Sequence, residues 1–165
     1  MVKKAVAVAV TLIAILAVVV AYLMANRPAS QATLYVDPRV ISRPVGQNFT
    51  INVSILDVSD LYGWRLKLKW NATILNVTNV AEGSFLNSSG NTFFFPKIND
   101  TAGYIVLDCT FLGNISGISG DGALATIRFY VKENGSCDLD LYDTTLLDSS
   151  VQHITHTVKD GRFNK

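Results

Sequence analysis

The sequence predicts an all-β fold, a nine-stranded antiparallel β-sandwich of jelly-roll type, preceded by an N-terminal apolar helix. Three observations lead to it. Beyond residue 32, apolar and polar residues alternate at period two in short runs, as half-buried strands require. Turn chemistry separates the runs, for example Asp37-Pro38, Asn71-Ala72, Glu82-Gly83-Ser84 and Asn134-Gly135, at the roughly 8 to 12-residue spacing of sandwich proteins. No stretch of that region carries helical periodicity or a capped helix start.

The chain has 165 residues, and its start is of a different kind. Lys3 and Lys4 precede an apolar run over residues 5–25 in which only Thr11 and Tyr22 have polar groups. A helix of about 20 apolar residues crosses the hydrocarbon core of a bilayer. The run also exceeds the roughly 7 to 15 apolar residues of a cleaved signal peptide. The two lysines hold the N-terminus in the cytoplasm, so the remainder is expected outside the cell, at its surface. Ser30-Gln31-Ala32 offers a peptidase small residues, so both an uncleaved anchor and a cleaved leader stay open. A pilin-type leader is disfavoured, because the run has no early acidic residue. Residues 26–32, with Pro28 and Ser30, read as a linker. The division expected is therefore 1–32, signal peptide or membrane anchor plus linker, and 33–165, one β-sandwich domain with one core.

Without Lys3, Lys4 and Arg27 the exported part carries 11 cations against 13 acids, a net charge of −2. That balance gives no reason to expect nucleic acid or an anionic lipid face as partner. Asn-x-Ser/Thr occurs at Asn48, Asn52, Asn71, Asn76, Asn87, Asn99, Asn114 and Asn134, eight of the twelve asparagines. Chance would supply about two, so the excess reads as a glycosylated exported surface. Turn-forming Asn beside strand-favouring Thr accounts as well for Asn52 and Asn76, which fall inside expected strands.

The strands are expected at 33–37, 49–58, 62–70, 74–80, 92–96, 104–112, 122–131, 137–142 and 157–163. The third is the most strongly patterned. In the run LYGWRLKLKW, Trp64, Leu66, Leu68 and Trp70 share one parity and Arg65, Lys67 and Lys69 the other. A half-buried strand turns the first set to the core and the cations outward. An outward cationic row is often only solvated.

Catalytic chemistry finds little support. His153 and His156, the only histidines, sit three apart and point to opposite faces of an extended segment, and no Ser-His-Asp or Cys-His set is assignable. Asp138, Asp140, Asp143 and Asp148 cluster, and Asp138 and Asp140 share a strand face at about 6.6 Å. A glycosidase pair needs a cleft between its carboxylates, which neighbours on one strand seldom flank. No calcium loop of the DxDxDG form occurs, so no metal and no cofactor is expected. Cys109 and Cys137 form an even pair in an exported chain, which argues for a disulfide.

Several segments, in order, resemble the cohesin family, exported modules that capture dockerin domains on polysaccharide-degrading assemblies. They are VDP at residues 36–38, VGQNFTINVSILDVSDLYGWRLKLKW at 45–70 followed by ILNV, GDGALATIRFYV at 120–131, and LLDSS with ITHTVKDGRF near the end. The resemblance implies a nine-stranded jelly roll, related to carbohydrate-binding modules, in which one sheet ordered 8-3-6-5 is the docking face. On this chain it implies partner contacts by Arg65, Lys67 and Lys69 in the middle of that face, with Tyr104 and Asp108 on one side and Asp140 and Tyr142 on the other. It departs from the family where basic side chains replace the usual acidic or amide contacts of strand 3. The archaeal cell-surface members outside cellulosomes are similar in setting. The implied sheet order also puts strand 3 between the two cysteines, about 10 Å apart, beyond the roughly 7 Å that a disulfide spans. The bonded and reduced forms both stay open.

The expected function is therefore that of a non-catalytic, extracytoplasmic binding module that docks a dockerin-like protein through one sheet face, with a family link to polysaccharide. The alternatives are a carbohydrate-binding domain, stacking sugar rings on Phe93, Phe94, Phe95, Tyr104 or Tyr142, and a structural cell-surface glycoprotein domain.

Overall fold

A computed structural model describes residues 31–164. The expected apolar helix lies outside the described residues, and among these no helix is long and apolar enough to cross a membrane. The described part is all-β: β1 (Ala32–Asp37), β2 (Val40–Ile41), β3 (Asn48–Lys69), β4 (Leu75–Glu82), a one-turn helix α1 (Ser84–Asn87), β5 (Thr92–Asn99), β6 (Tyr104–Phe111), β7 (Ile118–Val131), β8 (Cys137–Asp148), β9 (His156–Lys159) and β10 (Gly161–Phe163).

These strands form two sheets that share β3. The N-terminal half of β3 lies between β1 and β7, with β4 beyond β7 and β9 beyond β1. Its C-terminal half lies between β6 and β8, with β5 beyond β6 and β10 and β2 beyond β8. The order 8-3-6-5 implied by the resemblance is thus the order observed.

Three expectations are corrected. The described strands number ten, because segments 49–58 and 62–70 are one strand, β2 is added, and 157–163 splits into β9 and β10. The pairing is not purely antiparallel, since β1 with β9 and β10 with β2 run parallel. Residues 84–87 form a helical turn, too short to show periodicity.

The continuity of β3 has a specific cause. Phe49, Ile51, Val53 and Ile55 are buried at odd positions, whereas Val58, Trp64, Leu66 and Leu68 are buried at even ones. Three register shifts, between Ile55 and Val58, between Val58 and Leu61 and between Leu61 and Gly63, each flip the parity without ending the strand, so that it is reversed overall. Asp57 and Asp60 sit there at φ 55° and 57°. Their amides donate to the Asp121 carboxylate (2.6 Å) and the Ser119 hydroxyl (2.9 Å) respectively. The sequence read this parity change as a break between strands.

The core lies between the sheets. Phe49 stacks on Phe129 (5.4 Å) and on Phe163 (5.3 Å), and Trp70 meets Phe129 edge-on at 5.3 Å. Both tryptophans face inward, Trp64 at 4% exposure and Trp70 at 3%. Neither indole N–H has an acceptor among the described residues. Each orphan donor costs about 1–3 kcal/mol. Burying an indole of 150–250 Å² contributes about 4–6 kcal/mol at 25 cal/mol/Å², so burial wins and the rings stay inside.

Candidate functional site

With the tryptophans inward, the alternation of β3 puts Gly63, Arg65, Lys67 and Lys69 on the outer face of the second sheet. The registers align them in rows. Lys69 lies between Asp140 of β8 and Tyr104 of β6, which faces Asn99 of β5. Lys67 lies between Tyr142 and Val106, with Lys97 beyond. Arg65 lies between Thr145 and Asp108, with Phe95 beyond, and Gly63 between Leu147 and Thr110, with Phe93 beyond. All seven residues expected to meet a partner therefore share one open face.

Two of the three outward cations are paired within the face. Arg65 forms a two-pronged pair with Asp108, Nε to Oδ1 at 2.6 Å and Nη2 to Oδ2 at 3.3 Å. The Lys67 ammonium lies 2.7 Å from Asp143 Oδ2 and 5.8 Å from the centre of the Tyr142 ring. Hydrogen bonding to their carboxylates pushes both cations above their usual range. Exposed pairs of this kind add little stability. They do fix side chains that would otherwise sample many rotamers, which pre-orders the centre of the face.

Asp143 was not among the expected site residues. It sits at φ 49°, where β8 carries one extra residue between Arg65's partner Thr145 and Lys67's partner Tyr142. The bulge swings its carboxylate onto the face. The sequence carried no signal of it, because Leu146 and Leu147 offer both parities; only in the structure do the buried leucines move from odd positions, 139 and 141, to an even one, 146.

The end of the face beyond Lys69 is acidic. Partial desolvation, with Asp160 and Asp138 near by, raises the Asp140 carboxyl above its usual range, and Lys69 opposes this. Asp143 is held low by Lys67, and Asp60 by the Ser149 hydroxyl, 2.6 Å away, with the Ser149 and Gly117 amides adding to it. Acidification should therefore protonate Asp140 before Asp60 and Asp143, an order that carboxyl-carbon NMR titration checks. For Asp60 and Asp143 the sign is that of depressed carboxyls. Their contribution to stability is full above the ordinary 3.8 and is lost as pH falls through the lower folded values. Asp140 has the opposite sign, since its charged form is the one that folding disfavours.

The other end of the face is apolar. Phe93 and Phe95, 55% and 51% exposed, lie parallel with ring centres 6.3 Å apart. Phe94, between them, turns inward against Trp64 at 6.1 Å.

The remaining candidates lie elsewhere. Cys109 is buried, 3.5 Å from Glu82 Oε1, and Cys137 is half-buried; both thiols are free. Burial pushes the Cys109 thiol well up and the Cys137 thiol up, so neither is poised to react. His156 bonds Thr144 Oγ1 (2.8 Å) and the Ile154 carbonyl (2.9 Å) through its two ring nitrogens. No cluster of metal-ligating side chains occurs among the described residues. Of the sequon asparagines, Asn48, Asn52 and Asn76 stand on the outer face of the opposite sheet, in register with Tyr130 and Thr126. Asn71, Asn87, Asn114 and Asn134 lie off the strands, and Asn99 ends β5 at a corner of the candidate face. Asn52 and Asn76 are only half-exposed, and Asn52 accepts from the Thr126 hydroxyl at 2.9 Å.

The Cohesin domain family model matches residues 36–164. The chain belongs to the cohesin family. Among solved structures, this cohesin is similar to a non-cellulosomal cohesin from the hyperthermophilic archaeon Archaeoglobus fulgidus, at 23% identity and TM-score 0.69 over 81% of this chain and 90% of that one. A type II cohesin domain from the cellulosome of Acetivibrio cellulolyticus matches at 18% identity and TM-score 0.68, over 83% and 96%. The cohesin of a type I cohesin–dockerin complex from Clostridium thermocellum matches at 15% and 0.69, over 84% and 96%. At these identities the likeness concerns the fold. Comparison with curated proteins finds no match.

Proposed function

We propose that this cohesin is a non-catalytic docking module that binds a dockerin-like protein on the outer face of β8, β3, β6 and β5. The module is exported, displayed at the cell surface, and tethered there by the apolar segment of residues 5–25. The observation that carries the reading is the composition of that face in a chain of this family: pre-ordered charge pairs in the middle, with aromatic residues on both sides. Mixed charge with aromatic anchors suits a protein partner. Because Arg65 and Lys67 are already paired within the face, Lys69 and Tyr142 are the contacts with most left to offer a partner.

The test is binding of the full chain to dockerin modules from the same organism. Lys69→Glu combined with Tyr142→Ala should weaken it at least about tenfold while leaving the melting temperature unchanged, as removal of an interface anchor does. Arg128→Glu, on the opposite sheet, should leave affinity as it was. Equal binding by both variants would move the site off this face.

A second reading, sugar binding, is favoured by the parallel exposed pair of Phe93 and Phe95. It predicts retention by insoluble polysaccharide that Phe93→Ala and Phe95→Ala abolish and Lys69→Glu does not.

A further inference from the structure

The turn after β8 contains a residue that folding alone does not explain. Val151 has φ 61° and is 67% exposed. A β-branched side chain in the left-handed region is strained, and glycine or asparagine is the ordinary choice there. Exposure adds a second penalty, since a valine surrounded by water contributes no burial. The turn is well made without that side chain. Asp148 Oδ1 accepts the amides of Ser150 (2.9 Å) and Gln152 (2.8 Å), and the Asp148 carbonyl accepts the Val151 amide (2.9 Å).

Val151 does wall a trough of about 410 Å³ at the apolar end of the docking face. Gly63, Phe93, Thr110, Leu147 and Tyr62 are among the residues that line the rest. Gly63 has no side chain to occupy the space between its neighbours in register, Leu147 and Thr110. Apart from the Thr145 hydroxyl, the polar side chains around the trough are already engaged. Arg65 and Asp108 hold each other, the Thr110 hydroxyl donates to the Phe111 carbonyl (3.3 Å), and Asp148 caps its own turn. A sugar hydroxyl or a charged group would find little to bond there, whereas a hydrocarbon group would cover the exposed apolar walls.

We infer that the trough is an anchor socket for one branched aliphatic side chain, leucine, isoleucine or valine, carried by the docked protein partner, and that Val151 is held in its strained conformation to wall it. This rests on the docking reading above, because the trough continues the row of Gly63, Thr110 and Phe93 on the same face.

A structural residue and a residue kept for binding differ in sign. Val151→Gly and Val151→Asn should each raise the melting temperature by a few degrees, because strain is relieved. The same variants should weaken binding of an aliphatic probe. The probe is N-acetyl-leucine amide, titrated into the 15N-labelled full chain in lipid nanodiscs, with N-acetyl-aspartate amide as control. In the parent chain the leucine probe should shift the amides of Gly63, Thr110, Leu147 and Val151 saturably, and the aspartate probe should not. Either variant should weaken the leucine response at least about threefold, as loss of one wall of a small apolar site does. A melting temperature equal to or below the parent's in both variants would overturn the inference, as would equal responses to the two probes. Its failure is separable from failure of the docking reading. Dockerin binding that falls with Lys69→Glu and Tyr142→Ala but is untouched at Val151 removes the socket and keeps the face.

Discussion

Trp70→Ala should lower the unfolding free energy by about 3–5 kcal/mol, the range for removing a large aromatic from a packed core. Trp70 is 3% exposed and meets Phe129 edge-on, so its loss opens a void between the sheets. Against a typical total of about 5–15 kcal/mol this is a large fraction. Trp70→Phe should cost far less, because the indole N–H it deletes has no acceptor among the described residues. Urea denaturation of the three proteins checks both values through the midpoint at constant slope. A loss under about 1 kcal/mol for the alanine variant would mean that the indole is not a core group.

Gly103→Val should be nearly as damaging, at about 2 kcal/mol or more, through the backbone. Gly103 has φ 70°, and a Cβ there would lie 2.4 Å from the Trp70 carbonyl oxygen and 3.1 Å from the Ala72 amide. Strain in the left-handed region and a clash with main chain add together. The Gly103 carbonyl also accepts the Trp70 amide at 2.8 Å, so the change loosens the point where β3 ends. Beside it lies the row of Lys69 and Tyr104, which gives the variant a functional readout. Dockerin affinity should fall even where the protein is still folded, as measured well below its melting temperature.

The inward tryptophans and the outward Arg65, Lys67 and Lys69 were legible in the sequence, because period-two alternation needs only local information. The identity of the neighbouring strands was not in that pattern. It came from the resemblance, which supplied the order 8-3-6-5. What pairs with what across strands was also out of reach. Arg65 meets Asp108 because two distant segments align in one register, and nothing in either segment alone fixes that alignment. Asp143 was hidden by its bulge, because Leu146 and Leu147 offer both parities and the sequence does not say which is buried. The break read between residues 58 and 62 failed for the same reason, since a parity change looks alike whether a strand ends or bulges. Residues 84–87 show the limit in the other direction, for a single helical turn has no period to detect.

The irregular stretch of β3 around Asp57 and Asp60 has a consequence for how chain length can vary in this fold. Pairing is already interrupted there, and side chains of Asp121 and Ser119 hold the backbone where a regular ladder does not. An inserted residue at that joint would enlarge an existing bulge. One inserted after Gly63, where pairing with β6 is regular, would act like a frameshift in a reading frame of two: Arg65, Lys67 and Lys69 would turn into the core and both indoles into water. Loop grafts and length polymorphism should therefore be accepted at the joint and rejected a few residues later.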